Sequence, residues 1–263
     1  MSEMTEHAPG TFCWLDAGTT DVDGAKRFYG EVLGWSFNDV PMGEGVFYSM
    51  TQIRGKDVAA LYPQQPEMRA MGVPPHWLCY ISVKSADEVA AKVEGLGGKL
   101  VAPPFDVMDA GRMAILQDPT GATVALWEPK KHAGSAVVNE PGATGWFELL
   151  TTDTDKAQAF YAGLLGWGAK AQDMGGMIYT VFSIGEKQVS GMMKIVPEMG
   201  PMPTAWLAYF LTDDCDAAVA RASRLGGKTL VPAMDFPTVG RMATLQDPQG
   251  AVFSVIKVAT PAS

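Results

Sequence analysis

The chain is a tandem repeat, and this feature constrains its fold more than any other. Residues 14–35 and 146–167 are identical at 11 of 22 positions, at an offset of 132. Residues 105–122 and 234–251 are identical at 11 of 18 positions, at an offset of 129. Between these segments, the short motifs LGGK and Trp-Leu-x-Tyr each occur once in either half. The order of the motifs is the same in both halves, which indicates duplication of a whole folding unit.

Each repeat is about 130 residues long, which is an ordinary size for one domain. The sequence therefore predicts one domain at residues 8–128, a second at 145–258, and a linker at 129–144. The chain is 47% hydrophobic, so both repeats have enough apolar side chains to form a packed core.

Within each repeat, helical and strand periodicities alternate. Residues 12–20 predict a strand, and Asp21 is expected to cap the helix that follows, because its carboxylate can accept from free amides of the first turn. Gly34 is expected to end this helix in a left-handed conformation. The buried helix face is predicted from the 3.6-residue period of Ala25, Phe28, Tyr29, Val32 and Leu33.

The same order continues along the chain. Three short strands are predicted after the first helix, then a strand at 78–83, a helix at 86–96 and further strands at 112–117 and 122–127. Each domain thus consists of two βαβββ units, and the fold class is α+β. Two such units with curved sheets would surround a cleft, which is a common site for small molecules.

Charge and cysteine content exclude several functions. Twenty basic and 29 acidic residues give a net charge of −9, so a nucleic-acid partner and an anionic membrane surface are not expected. No apolar run is long enough to cross a bilayer, and the polar N-terminus predicts no secretory leader. Three isolated cysteines, Cys13, Cys79 and Cys215, are expected to be buried thiols of a cytoplasmic protein. A homodimer is compatible with these features.

The motifs resemble those of a known family. D-x-x-x-A-x-x-F-Y-x-x-x-L-G-W follows the first strand of each repeat, and D-P-x-G-A lies near its end. This arrangement is similar to the glyoxalase/bleomycin-resistance/extradiol-dioxygenase family, also called the vicinal oxygen chelate superfamily, and in particular to two-domain actinobacterial glyoxalase-like proteins. The resemblance implies two tandem domains of that fold, but a fold alone does not establish the chemistry.

Enzymes of this superfamily hold a divalent metal through His and Glu side chains on fixed strands. The resemblance places those positions at Trp14, Leu78 and Ala125 in the first repeat, and at Trp146, Leu207 and Ser254 in the second. Indole and aliphatic groups offer a metal ion no lone pair, and a single hydroxyl is a poor ligand. We therefore expect no metal site and no cofactor.

Strand parity suggests what lines the clefts instead. If Trp14 and Trp146 point into the clefts, the period of two puts Asp16 and Glu148 on the same face. The same rule adds Tyr80 to the first cleft and Tyr209 to the second. These indole and phenol rings are candidates for binding a flat ligand, although they could equally fill the space between two sheets.

The carboxylates are the candidate catalytic groups. Asp16 or Glu148 in an apolar cleft would have a raised pKa and could act as a general base. Arg112 and Arg241 occupy matching positions and could either neutralise these carboxylates in salt bridges or clamp an anionic ligand. His76 is a further acid–base candidate, or simply a structural side chain near a cleft rim.

Three functions follow from these residues. The first is a metal-free protein of bleomycin-resistance type that binds a small aromatic or amphipathic metabolite. The second is an enzyme, either a glyoxalase-like lyase or isomerase or a metal-independent catalyst that uses Asp16, Glu148 or His76. The third is a scaffold in which the two domains form an internal pseudo-dimer.

Overall fold

The computed structural model describes residues 3–43 and 45–259 and contains the two predicted repeats of strands and helices. The elements of the first repeat are β1 (Phe12–Thr19), α1 (Val22–Leu33), β2 (Ser36–Gly43), β3 (Val46–Ile53), β4 (Lys56–Pro63), α2 (Pro66–Ala70), β5 (His76–Ser82), α3 (Ala86–Ala90), β6 (Lys99–Val107), β7 (Gly111–Gln117) and β8 (Thr123–Pro129). The predicted alternation of strand, helix and three strands is confirmed.

The second repeat has the same order of strands. Its elements are β9 (Thr144–Thr151), α4 (Thr154–Leu165), β10 (Gly168–Asp173), β11 (Ile178–Ile184), β12 (Lys187–Lys194), β13 (Ala205–Leu211), α5 (Cys215–Arg224), β14 (Lys228–Phe236), β15 (Gly240–Gln246) and β16 (Val252–Val258).

Each repeat forms one eight-stranded mixed sheet, whose order could not be derived from periodicity. The first is β2-β3-β4-β1-β5-β8-β7-β6, and the second is β10-β11-β12-β9-β13-β16-β15-β14. The first strand of each unit is parallel to the last strand of that unit, and the two units join through the antiparallel pairs β1–β5 and β9–β13. The fold is thus α+β, with two tandem domains.

The first helix of each domain follows the local rules. The Asp21 carboxylate accepts from the Gly24 amide, and Gly34 ends α1 in the left-handed region at φ 75°. The predicted helix at 86–96 is wrong in its length, because α3 ends at Ala90 and a separate 3₁₀ turn covers Glu94–Leu96. Gly95 stands where Arg224 continues α5 in the second domain, and glycine is a poor helix former.

Helices α1, α3, α4 and α5 lie together between the two sheets in one continuous apolar core. Phe28 of α1 packs against Gly227 of the second domain, and Phe160 of α4 packs against Gly98 of the first. A Cβ atom on either glycine would lie less than 3.0 Å from the facing ring. The repeated LGGK motif therefore leaves room for the Phe-Tyr motif of the other domain.

The neighbouring tyrosines form reciprocal hydrogen bonds across the interface. The hydroxyl of Tyr29 donates to Asp247 over 2.9 Å, and that of Tyr161 donates to Asp118 over 3.0 Å. Each tyrosine also accepts from an indole N–H of its own domain. The D-P-x-G turns are thus anchoring points between the domains.

None of the helices in residues 3–43 and 45–259 is long and apolar enough to cross a membrane.

Candidate functional site

The concave face of each sheet bears a lateral row of three residues from its central strands. In the first domain Trp14 pairs with Tyr80, which pairs with Ala125. In the second, the row is Trp146, Tyr209 and Ser254. The two concave faces have equivalent backbones, but their side chains produce two different environments.

The concave face of the second domain is an open cleft of about 1530 Å³. This volume exceeds the roughly 300–1,000 Å³ of most ligand pockets. Trp146, Glu148, Tyr179 and Tyr209 are among the residues that line it. Methionine side chains contribute much of the remaining apolar wall, namely Met174, Met177, Met193, Met199, Met202 and Met242. Unbranched thioethers adapt to differently shaped apolar ligands.

Glu148 is the buried charge on the wall of this cleft. It is 6% exposed, and its Oε1 atom accepts from the Tyr209 hydroxyl over 2.9 Å. The Tyr179 hydroxyl interacts with the same carboxylate and accepts from Trp146 Nε1 over 2.9 Å. Burial raises the pKa of Glu148, and the two tyrosines oppose that rise.

A second line of hydroxyls ends at the same carboxylate. Thr244 Oγ1 and Ser254 Oγ are 2.9 Å apart, and Ser254 interacts with the Tyr209 hydroxyl. Because Tyr209 donates to Glu148, the arrangement that satisfies every group runs from Thr244 through Ser254 and Tyr209 to Glu148.

The first domain repeats this network around a shorter carboxylate. Asp16 Oδ2 accepts from Tyr48 over 2.8 Å and from Tyr80 over 2.9 Å, while Trp14 Nε1 donates to Tyr48 over 3.0 Å. The second oxygen, Oδ1, is buried without a hydrogen-bond partner. Burial raises the pKa of Asp16 to about 7.

The first cleft is occupied by the linker. The ring of His132 lies edge-on to Trp14, with 4.4 Å between centroids, and also contacts Trp127. Trp127 Nε1 donates to the His132 carbonyl over 2.9 Å. Trp14 is consequently 3% exposed, whereas its counterpart Trp146 is half-buried. The partly buried His132 side chain thus packs against tryptophans of the first cleft.

The predicted salt bridges of the cleft carboxylates are wrong. Arg112 instead pairs with Asp87, with 2.6 Å between Nε and Oδ2. Arg241 pairs with Asp216 and Asp235, each over 2.8 Å. Neither guanidinium lines the second cleft.

Strand parity explains where these arginines lie. Arg112 shares a strand face with Ala114, which belongs to the interdomain core, whereas Met113 belongs to the cleft cluster. Arg112 and Arg241 therefore connect the outer strands to α3 and α5 on the helix side of each sheet. Their predicted role as clamps for an anionic ligand in the clefts is not supported by this placement.

His76 lines the part of the second cleft to which the first domain contributes. Its Nδ1 atom is 2.9 Å from the Pro74 carbonyl oxygen. Residues Pro66–Ala70 form the short helix α2, Pro197–Met199 form a 3₁₀ turn, and Met199 lines the second cleft. His76 thus lies at the boundary between the domains, near the cleft that is not its own.

Two functional candidates were missed by the sequence reasoning. Tyr48 and Tyr179 each connect the cleft tryptophan to the cleft carboxylate. Both lie early in the second strand after the first helix of their domain. Their recurrence at matching places in the two repeats was a signal that could have identified them.

The residues at the superfamily's metal positions do not fit a divalent ion. Trp146 and Leu207 supply no imidazole or carboxylate, nor does Tyr209, the strand partner of Trp146. Ser254 already interacts with neighbouring hydroxyl groups. Among the described residues, no group of three or more His, Cys, Asp or Glu side chains could share a metal. Hard divalent cations need several carboxylate or imidazole ligands.

Comparison with known proteins supports the same fold. The chain is 43% identical over 261 residues to "Putative glyoxylase CFP32" of Mycobacterium bovis, covering 98% of this chain and 99% of that protein. It is 35% identical over 265 residues to "Anthracycline biosynthesis protein DnrV" of Streptomyces peucetius, covering 97% and 96%. The Mn(II)-bound glyoxalase from Novosphingobium aromaticivorans is similar in structure, with a TM-score of 0.63 at 15% identity over 95% of this chain and 82% of that one.

Both repeats also match one family model. The model of the Glyoxalase/Bleomycin resistance protein/Dioxygenase superfamily matches residues 12–126 and 133–255, once in each repeat. Both matches contain the strands, helices and interdomain motifs described above. The chain therefore belongs to the Glyoxalase/Bleomycin resistance protein/Dioxygenase superfamily, as a tandem two-domain member.

Proposed function

We propose that the protein binds a flat aromatic metabolite in the cleft of its second domain, as a sequestering or resistance protein does, without a divalent metal. The observation that carries this proposal is the open cleft of about 1530 Å³ next to Trp146, Tyr179, Tyr209 and Glu148. Aromatic walls favour flat conjugated ligands, and a few fixed polar groups orient them.

The size of the cleft favours a ligand with several fused rings. A single-ring compound would leave much of the methionine wall in contact with water, and burial of apolar area is the main source of affinity in such a site. The name of the Streptomyces peucetius relative refers to anthracycline biosynthesis, which supports a fused-ring ligand class for this chain as well.

The first domain has a structural role in this proposal. Its cleft holds the His132 ring against Trp14 and Trp127, so the linker takes the place that a ligand would have beside Trp14. We therefore expect one ligand per chain.

An enzymatic function is the second candidate, and the buried environment of Glu148 favours it. A buried carboxylate with a raised pKa in a ligand cleft can accept a proton from a bound substrate. The reaction would be a proton shift of lyase or isomerase type. His76 at the cleft boundary is a further acid–base candidate, and the two variants E148Q and H76A distinguish their roles.

Titration of the purified protein with anthraquinone, observed by calorimetry and tryptophan fluorescence, tests the binding function. We expect one site per chain and at least tenfold weaker binding in W146A, because this variant loses a large aromatic contact. W14A is the matched control in the first domain and should leave the affinity unchanged. The absence of binding to the wild-type protein would contradict the proposed function.

Elemental analysis of the freshly purified protein tests the metal-free part. We expect less than stoichiometric divalent metal, and affinity for anthraquinone unchanged by a chelator. A stoichiometric metal whose removal abolishes binding or turnover would overturn this part of the proposal.

A further inference from the structure

The floor of the second cleft is formed by Trp146, Tyr179, Tyr209 and Glu148. Its hydrogen-bond donors point toward the Glu148 carboxylate. Trp146 directs its N–H to Tyr179, the Tyr209 hydroxyl donates to Glu148, and the Tyr179 hydroxyl interacts with the same carboxylate. Ser254 and Thr244 extend this line behind Tyr209. The donor hydrogens of Trp146 and Tyr209 are therefore engaged with other protein groups, and Glu148 is the acceptor available to the Tyr179 hydroxyl.

The remaining hydrogen-bond capacity at the floor consists of acceptors. An ionised carboxylate accepts only, and its two oxygens have more lone-pair sites than the two tyrosines occupy. A phenol that donates its hydrogen likewise retains only acceptor capacity. A ligand carbonyl or carboxylate placed here would meet lone pairs and a negative charge.

We propose that the polar group which a ligand buries against Glu148 is a hydrogen-bond donor, a hydroxyl or N–H on the edge of its ring system. This inference rests on the proposed function and specifies the class of ligand that the second cleft selects. The cleft accordingly discriminates against ligands that present an ether, carbonyl or carboxylate at the same place, because Glu148 would remain buried without a donor.

A matched pair of neutral probes tests this selection. 2-(Hydroxymethyl)anthraquinone carries a donor, and 2-(methoxymethyl)anthraquinone has the same ring with the donor blocked. At a pH above the raised pKa of Glu148, we expect the wild-type protein to bind the hydroxymethyl probe about tenfold more tightly, which is the effect of one hydrogen bond to a charged group.

The variant E148Q should reverse the preference. The amide of Gln can accept from Tyr209 through its oxygen and donate to the ligand through its nitrogen, so the methoxymethyl probe should bind at least as tightly as the hydroxymethyl probe. The matched control is D16N in the first domain, which should retain the wild-type preference. Thermal unfolding of both variants verifies that they are folded.

The pH dependence provides an independent readout. Protonation of Glu148, whose pKa is raised by burial, gives the carboxyl a hydrogen to donate to the ether oxygen. In the wild-type protein, the preference for the hydroxymethyl probe should therefore narrow as the pH falls through the raised pKa of Glu148, and it should not change in E148Q.

The outcomes separate this inference from the proposed function. If neither the probes nor anthraquinone bind, both proposals are overturned. If both probes bind with equal affinity to the wild-type protein, or if E148Q keeps the wild-type preference, the second cleft binds aromatic ligands but the donor rule is wrong. A tenfold preference that E148Q reverses and D16N retains supports the inference.

Discussion

Tyr29 of the first domain donates a hydrogen bond to Asp247 of the second over 2.9 Å, and both side chains are buried. The reciprocal pair is Tyr161 and Asp118. The most strongly repeated motifs of the sequence, Phe-Tyr, LGGK and D-P-x-G, thus meet at the interface between the domains. These motifs form the packing interface between the two halves, whereas the second cleft is lined by residues with weaker sequence signatures.

The variant Y29F should destabilise the whole chain. It leaves the Oδ2 atom of Asp247 and the Trp77 N–H without a partner inside the core, and the expected loss is about 1–3 kcal/mol of unfolding free energy. Y161F is the matched variant and should have a similar effect. Urea unfolding should show one cooperative transition for each protein. Separate transitions for the two domains would contradict a shared core.

The variants G191A and E148D should compensate each other. Glu148 is the register partner of Gly191, whereas the shorter Asp16 is the partner of Ala60. A Cβ atom on Gly191 would lie 1.8 Å from the Tyr179 hydroxyl. Each single variant should therefore disturb the network, and the double variant should recreate the arrangement of the first domain.

The measurement is a double-mutant cycle on the unfolding free energy. We expect a coupling of about 0.5–3 kcal/mol, as for residues that share one hydrogen-bond network. A60G in the first domain is the control. It removes a methyl group at the equivalent position and introduces no clash with a tyrosine. Strictly additive effects of G191A and E148D would show that the two positions do not set the network together.

Asp16 should make the stability depend on pH. Its pKa is about 7 in the folded protein and about 3.9 in an unfolded chain. Between these values the folded state holds a proton that the unfolded state has released. The unfolding free energy should therefore fall as the pH rises from 4 to 7, by at most about 1.4 kcal/mol per unit.

The variant D16N lacks this titration and isolates the effect. D16N should gain stability relative to the wild-type protein as the pH rises from 4.5 to 8. The titration of Glu148 cancels from this comparison because both proteins contain Glu148. Urea unfolding at several pH values measures it. A difference that stays constant over this range would argue against a proton held by Asp16.

The variant H132A should open the first cleft. Removal of the imidazole leaves a gap between Trp14 and Trp127, with an expected cost of about 1–3 kcal/mol. Calorimetry with anthraquinone should then detect a second, weaker site per chain, with quenching of Trp14. H132F serves as the control, because it keeps an aromatic ring in the gap and should leave the stoichiometry at one. A stoichiometry that remains at one would mean that the first cleft closes without His132.

Structural features that depend on residues close together in the sequence were predictable. The cap at Asp21, the stop at Gly34 and the buried stripe of α1 are all confirmed, because local hydrogen bonding and periodicity determine them. The length of the second helix was not predictable in the same way. Its residue pattern suggested a helix to 96, but Gly95 weakens the final turn and the chain forms a 3₁₀ turn there.

The environment of the site depends on contacts between distant segments. Parity placed Trp14, Asp16 and Tyr80 on one face, and the structure joins the aspartate and tyrosine by a hydrogen bond. No local pattern indicates that His132 from the linker fills this cleft. Nor does one show that Arg112 meets Asp87, which is 25 residues away in the chain, although strand parity alone would have excluded Arg112 from the cleft.

The reciprocal interface has a consequence for the symmetry of the molecule. Its contacts are those of an isologous dimer, in which residue i of one copy meets residue j of the other and the reverse. A chain that contains both copies must also contain one connection between them, and a single connection cannot obey a two-fold axis. Here that connection leaves β8 and places His132 in the adjacent cleft. Covalent fusion of two equal halves is therefore sufficient to make them unequal, with one half retained as a partner surface and the other free to specialise.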